Sequence, residues 1–156
     1  MSCSWGDIAT HLLLAKVFRV NTETLEVSVD AFEEAVTCLA LRRDGAGVCT
    51  VSLFQTAQYL TPDQLACTTA SGFALLEGST ISHLKQPIPA AELPHTRFND
   101  GGCDSKGRFF AGTIYDENRG IPGKLYRYDP ATEACEVVDE GPFTARYSLI
   151  LRQSLL

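Results

Sequence analysis

The chain has 156 residues, 45% of them hydrophobic and 21% charged, the length and balance of one globular domain with its own core. A net charge of −6 argues against a nucleic-acid binder, which would usually show a basic face to grip phosphates. No apolar run approaches the ~20 residues that cross a bilayer as a helix, so neither a nucleic-acid nor a membrane partner is expected.

The segment MSCSWGDIATHLLL lacks a basic stretch leading into a sustained apolar core, so no export signal is read and a cytoplasmic location is expected. From there the chain repeats one phrase: short apolar run, polar turn, short apolar run. KVFRV (16–20) passes through NTET to LEVSV (25–29), and TCLAL (37–41) passes through RRDGAG to VCTV (48–51). FALLEG (73–78) leads into STISHL, RFFAGTI (108–114) follows DSKG, and KLYRYDP (124–130) precedes ACEVV (134–138). Runs this short, separated by Gly, Asn, Asp and Pro, predict antiparallel hairpins in an all-β protein. Helical turns are expected at two places. One lies near Asp30–Ala35; the other is YLTPDQLA (59–66), with Thr61 as N-cap and Pro62 at the first helical position.

The chain also resembles itself. KVFRVNTETLEV (16–27) and KLYRYDPATEACEV (124–137) share Lys, aliphatic, aromatic, Arg, then Asn or Asp, a Thr in the turn and a closing Glu-Val. SGFALLEGSTISHL (71–84) echoes that layout, and LRRDGAGV (41–48) pairs with CDSKGRFF (103–110). The two offsets, 108 and 62, share a period of roughly 45 if about 18 residues near 51–68 are inserted, and blades of ~40–50 residues build β-propellers. VSLFQTAQYLTPDQLA (51–66) breaks the rhythm and reads as that insertion, either a surface loop or sequence foreign to the fold.

Six cysteines, Cys3, Cys38, Cys49, Cys67, Cys103 and Cys135, are spread without a C-x-x-C pair, and reduced, mostly buried thiols are expected. His11, His83 and His95 share no metal-ligand spacing. The sharpest polar cluster is RFND (97–100), followed by Gly101-Gly102 and placed just ahead of a strand-turn-strand unit. Arg97 could orient an anionic or carbonyl oxygen, Asn99 a hydroxyl, and Asp100 could take a proton or a cation. Asn-Asp-Gly is equally a favoured turn. TIYDENRG (113–120) is a second polar cluster, read by default as a solvated hairpin loop. Its Glu117 gains interest only if that loop closes over the same end as Arg97 and Asn99. Motifs of serine hydrolases, zinc proteases and nucleotide enzymes are absent.

RFNDGGCDSKGRFFAGT (97–113) closely resembles a signature of the SMP-30/gluconolactonase family, which includes regucalcin and sugar lactonases. LALRRDG (39–45), GFALLEG (72–78) and GKLYRYDP (123–130) fit the same family. The resemblance covers about 17–50 and 68–145. It implies a six-bladed β-propeller with about half of its blades in 1–156, 51–66 as an insertion and 146–156 as a divergent tail. It further implies metal-dependent hydrolysis of a small-molecule lactone, an aldonolactone such as gluconolactone. One divalent cation, calcium, zinc or manganese, would polarise the carbonyl. Arg97 and Asn99 take the substrate-orienting positions and Glu117 the acidic position of the following loop. The metal-ligand positions find no match: SCSWGDIATHLLL keeps Trp5 and Asp7 but no Glu, and no Ser-Asn-Gly follows GPFTA (141–145). No metal ligand is therefore assigned, and the alternative is a non-catalytic propeller fragment or interaction module.

Overall fold

The computed structural model describes residues 5–11, 15–21, 23–40, 64–104 and 106–141. They form eleven strands: β1 (Trp5–His11), β2 (Lys16–Asn21), β3 (Val27–Ala31), β4 (Val36–Ala40), β5 (Gln64–Thr69), β6 (Phe73–Glu77), β7 (Thr80–Lys85), β8 (Phe98–Cys103), β9 (Phe109–Thr113), β10 (Gly123–Asp129) and β11 (Ala134–Gly141). One short 3₁₀ turn, Glu117–Arg119, stands between β9 and β10. Every sheet is an antiparallel meander in chain order: β1-β2-β3, then β4-β5-β6-β7, then β8-β9-β10-β11. The first strand of the second sheet, β4, lies against both β1 and β8, so consecutive sheets meet at their first strands, as propeller blades do at the axis. No helix among the described residues is long and apolar enough to cross a membrane.

The self-resemblance has a physical origin in the hairpin turns. Asn21 Oδ1 accepts the N–H groups of Glu23 and Thr24 at 2.9 and 3.1 Å, and Thr24 Oγ1 accepts from Glu26 N–H at 3.3 Å. In the β10–β11 hairpin, Asp129 Oδ1 accepts from Ala131 N–H at 3.0 Å and Thr132 Oγ1 from Ala134 N–H at 3.4 Å. After each Thr comes a residue with positive φ, Leu25 at 60° and Glu133 at 55°. Asx and Thr side chains that mimic backbone turns are required at those positions, which is why the two hairpins look alike in sequence. The third echo falls on β6–β7, where Gly78 at φ 56° takes the left-handed position of a two-residue turn.

Phe73 is the hub of the core. Fully buried, it stands 5.2 Å from Phe98, 5.3 Å from Phe109 and 5.6 Å from Tyr128 between ring centroids, joining the second sheet to the third. Leu65, Cys67, Leu76, Val36 and Val17 extend this core toward the first sheet.

The helical turn expected near Asp30–Ala35 does not form, and of YLTPDQLA (59–66) only 64–66 lie within the described residues. Asp30 and Ala31 belong to β3, paired with Val17 and Lys16, and Phe32 N–H extends the contact to Ala15 O at 2.8 Å. Gln64–Ala66 open β5, where Leu65 and Ala66 pair with Leu76 and Leu75 and are buried. The rest of the expected insertion, 51–63, lies outside the described residues, as do 41–50 and the tail 146–156.

Candidate functional site

The RFND segment is neither a turn nor a loop ahead of a strand: Phe98–Cys103 is β8, the first strand of the third sheet. Phe98 decides this. Its buried ring packs on Phe73 and Tyr126, and its N–H donates to Ala70 O at 3.0 Å, across to the second sheet. Arg97 is held by its own backbone, with Ile114 N–H donating to Arg97 O at 3.0 Å, while Thr96 Oγ1 donates to Ile114 O at 2.6 Å.

Asn99 occupies a special position. Phe98 pairs with Thr113 and Asp100 with Gly112, so Asn99 is the extra residue of a β-bulge. A bulge bends the strand and re-aims the side chain it carries, and bulges recur beside functional sites. Arg97 Nη1 donates to Phe98 O at 3.0 Å and to Asn99 Oδ1 at 3.3 Å. These contacts use one guanidinium nitrogen of a group with five N–H donors, and both side chains are half-buried. Asp100 follows, also half-buried, with Oδ1 accepting Gly101 N–H at 2.8 Å.

The glycine pair divides in two. A Cβ on Gly101 would stand 2.4 Å from Phe110 O and 3.0 Å from Ala111 Cβ, whereas one on Gly102 would meet nothing within 4 Å. Close approach, the expected reason for glycine here, applies to Gly101 alone.

Glu117 sits on the 3₁₀ turn, capped by Asp116, whose Oδ1 accepts Asn118 N–H at 3.1 Å and whose Oδ2 pairs with Arg119 at 3.2 Å. Gly120 closes the turn at φ 64°. Glu117 is exposed. The loop leaves β9 through Ile114, the residue bonded to Arg97, yet no hydrogen bond or ion pair among the described residues joins the Glu117 carboxylate to Arg97 or Asn99. Arg97, Asn99 and Asp100 thus form one cluster, with Glu117 on an adjoining loop.

Sequence reasoning missed Cys38. Its Sγ donates to Gly101 O at 3.2 Å, from β4 across to β8. Burial pushes this thiol up to about 12, with the Asp100 charge adding to the effect. One signal could have found it. Thr37, just before Cys38, is the extra residue of a bulge on β4, and the Thr37-to-Asn99 spacing equals the 62-residue offset of the sequence echo. His83, another residue read as structural, pairs with Glu34 at 3.1 Å, and Glu34 Oε1 accepts Ser71 N–H at 2.8 Å. That pair borders a cavity of about 400 Å³ lined by Glu33, Glu34, Ser79, Thr80, Ile81 and His83, which contains none of the RFND residues. Among the described residues no group of three or more His, Cys, Asp or Glu is placed to hold a metal ion. Trp5 and Asp7 lie on β1.

The SMP-30/Gluconolactonase/LRE-like region family matches residues 4–144. The chain belongs to this family. Similar curated members are a 6-deoxy-6-sulfogluconolactonase of Pseudomonas putida and a regucalcin of Danio rerio. The first is 29% identical over 127 residues, covering 80% of this chain and 35% of the relative. The second is 37% identical over 70 residues, covering 39% of this chain and 24% of the relative. Two solved structures share the fold. A luciferin-regenerating enzyme superposes with a TM-score of 0.61 at 12% identity, covering 89% of this chain and 46% of its own. A calcium-binding protein, regucalcin, of Agrobacterium tumefaciens also gives 0.61, at 15% identity, covering 85% and 38%. The chain therefore spans about a quarter to a third of these curated relatives and under half of these structural ones. The fold is a β-propeller of the six-bladed type, and the three sheets are about half of its blades, as the family resemblance implies.

Proposed function

We propose that this chain carries the substrate-orienting part of a lactonase-type hydrolase site acting on an aldonolactone such as gluconolactone. The observation that carries the proposal is the bulged start of β8, the first strand of a blade, where Asn99 is fixed at 3.3 Å to Arg97, the residue just ahead of the strand. In lactone hydrolysis negative charge develops on the carbonyl oxygen as water adds. A guanidinium held in place before the reaction stabilises that charge without reorganising. Arg97 takes this role, and Asn99, both donor and acceptor, orients a ring hydroxyl. Asp100, next in the chain to Asn99, is the carboxylate assigned as proton acceptor for the attacking water. Glu117 contributes only when its loop folds over bound substrate.

A divalent cation of the kind expected from the family would polarise the carbonyl and acidify bound water. Asp100 and the Asn99 carboxamide could supply only part of the oxygen shell such an ion takes, the remainder coming from water, backbone carbonyls or other parts of the chain.

The test is hydrolysis of D-glucono-δ-lactone followed by acid release, with calcium, zinc or manganese added in turn. Expected is a saturable rate above spontaneous hydrolysis that Arg97→Ala lowers by roughly 10–100-fold in kcat/KM, the scale of one charge-assisted hydrogen bond. A rate equal to spontaneous hydrolysis with every metal refutes the enzymatic proposal for this chain and leaves the non-catalytic module.

A further inference from the structure

The structure assigns Cys38 a positioning role: its thiol, on the second sheet, fixes the backbone of β8 just beyond the bulge that carries Asn99. The inference rests on the site proposed above for its functional meaning, but its geometry stands apart from any reaction. β4 and β8 belong to different sheets and share no backbone ladder. The Cys38 Sγ contact to Gly101 O at 3.2 Å therefore crosses a blade boundary by side chain alone. Both ends sit beside irregularities: Cys38 follows the bulge at Thr37, and Gly101 is two residues beyond Asn99.

Three features make this contact a clamp on the site rather than ordinary packing. A bulge leaves its strand one pairing short and locally loosened, so an outside contact there has unusual influence on where Asn99 points. Gly101 is already pressed against β9, since its missing Cβ is what lets Phe110 O approach. Its carbonyl accepts the thiol from β4, so the backbone at this residue is contacted by two neighbouring strands. Asp100 joins the same network through its bond to Gly101 N–H at 2.8 Å. Leu39 O is a more distant acceptor at 3.7 Å, and the Asp100 carboxylate is a further hydrogen-bond partner of the same thiol. Because the thiol is buried and its ionisation is suppressed by that burial and by Asp100, it keeps its proton, and so remains a donor, throughout the neutral range.

The experiment compares Cys38→Ser, which keeps a donor, with Cys38→Ala and Cys38→Val, which do not. Val serves as a second apolar variant of larger volume, in case the Ala cavity alone disturbs folding. Backbone amide exchange is read at Asp100, Gly101 and Gly102, with β10 and β11 as the reference, and lactone KM and kcat are measured on the same proteins. Expected is at least a tenfold loss of exchange protection at Asp100–Gly102 in both apolar variants, with β10–β11 unchanged and protection restored in Cys38→Ser. KM should rise several-fold in the apolar variants and recover in the Ser variant. Uniform loss of protection across all three sheets, or equal behaviour of Ser and Ala variants, overturns the positioning role. A wild-type chain with no lactonase activity refutes the proposed function alone, because exchange still reports whether the thiol holds the strand.

Discussion

Replacing Phe73 by Ala should be among the most damaging single changes available in this chain. Its ring is fully buried and touches three other aromatic rings, two of them on the third sheet's β8 and β9 and one on β10. Truncating a buried Phe to Ala costs about 3–5 kcal/mol through lost transfer free energy and the cavity left behind, with aromatic pair geometry part of that loss. A value of about 4 kcal/mol is a large share of the roughly 5–15 kcal/mol that stabilises a typical domain. For a domain of this size it corresponds to a fall in Tm of roughly 8–16 °C. The control is Val29→Ala on β3, where the side chain is 48% exposed and the cost should stay below about 1 kcal/mol. Urea unfolding followed by tryptophan fluorescence and circular dichroism reads both. If Phe73→Ala lies within about 1 kcal/mol of wild type, or matches Val29→Ala, the blades do not dock through this aromatic cluster and the packing argument is wrong.

Gly101→Ala should destabilise by about 1–3 kcal/mol, the cost of overpacking, because backbone carbonyl and side chain both block the new Cβ; Gly102→Ala, facing open space, should cost far less. Denaturant midpoints of the pair decide it. Asp104 anchors the β8–β9 turn, accepting N–H groups of Lys106 at 2.9 Å and Arg108 at 3.0 Å and the Arg108 Nε at 2.7 Å. Burial raises the Asp104 carboxyl, but those donors outweigh it and hold the group below its usual range. A depressed folded pKa stabilises above the unfolded value near ~4 and loses that stability as pH falls through the folded pKa. Asp104→Asn should therefore be less stable by about 1–2 kcal/mol at pH 7, with the gap to wild type narrowing from pH 4 downward in urea titrations at stepped pH. Burial pushes the Cys38 and Cys103 thiols to about 12 and raises Cys67 as well. At pH 8 a thiol at about 12 is ~0.01% thiolate, against roughly a quarter for an unperturbed one. Mass-spectrometric alkylation should label these three on the order of a thousandfold more slowly in native protein than in denaturant.

The hairpins were legible because their information is local. Asn21 with Thr24, and Asp129 with Thr132, spell out a turn within five residues. The helical expectation near Asp30–Ala35 failed where local and distant signals disagree: Asp30 and Ala31 are held in the ladder with β2. Of the second expected turn only Gln64–Ala66 are described, and they open β5, with Leu65 and Ala66 paired to Leu76 and Leu75.

The candidate site was legible in its residue types and illegible in its setting. Arg97, Asn99 and Asp100 stand out by composition, but Asn-Asp-Gly reads locally as a turn because nothing nearby in sequence reveals that Phe98 is anchored to Phe73 of the second sheet and to Ala70 just past β5. The same blindness hid Cys38, whose partner is 63 positions away. What connects them is the repeat. Adjacent blades place a bulge near the start of β4 and of β8, at Thr37 and Asn99. In one blade the extra residue is a buried Thr that closes a hydroxyl contact with Thr68 at 2.9 Å; in the next it is a half-buried Asn held by Arg97. The same backbone irregularity thus serves packing in one blade and presents polar groups in the other. Under the proposed function, the repeat fold makes a binding position out of a structural one through side-chain identity alone, because the bulge that aims the residue is already built.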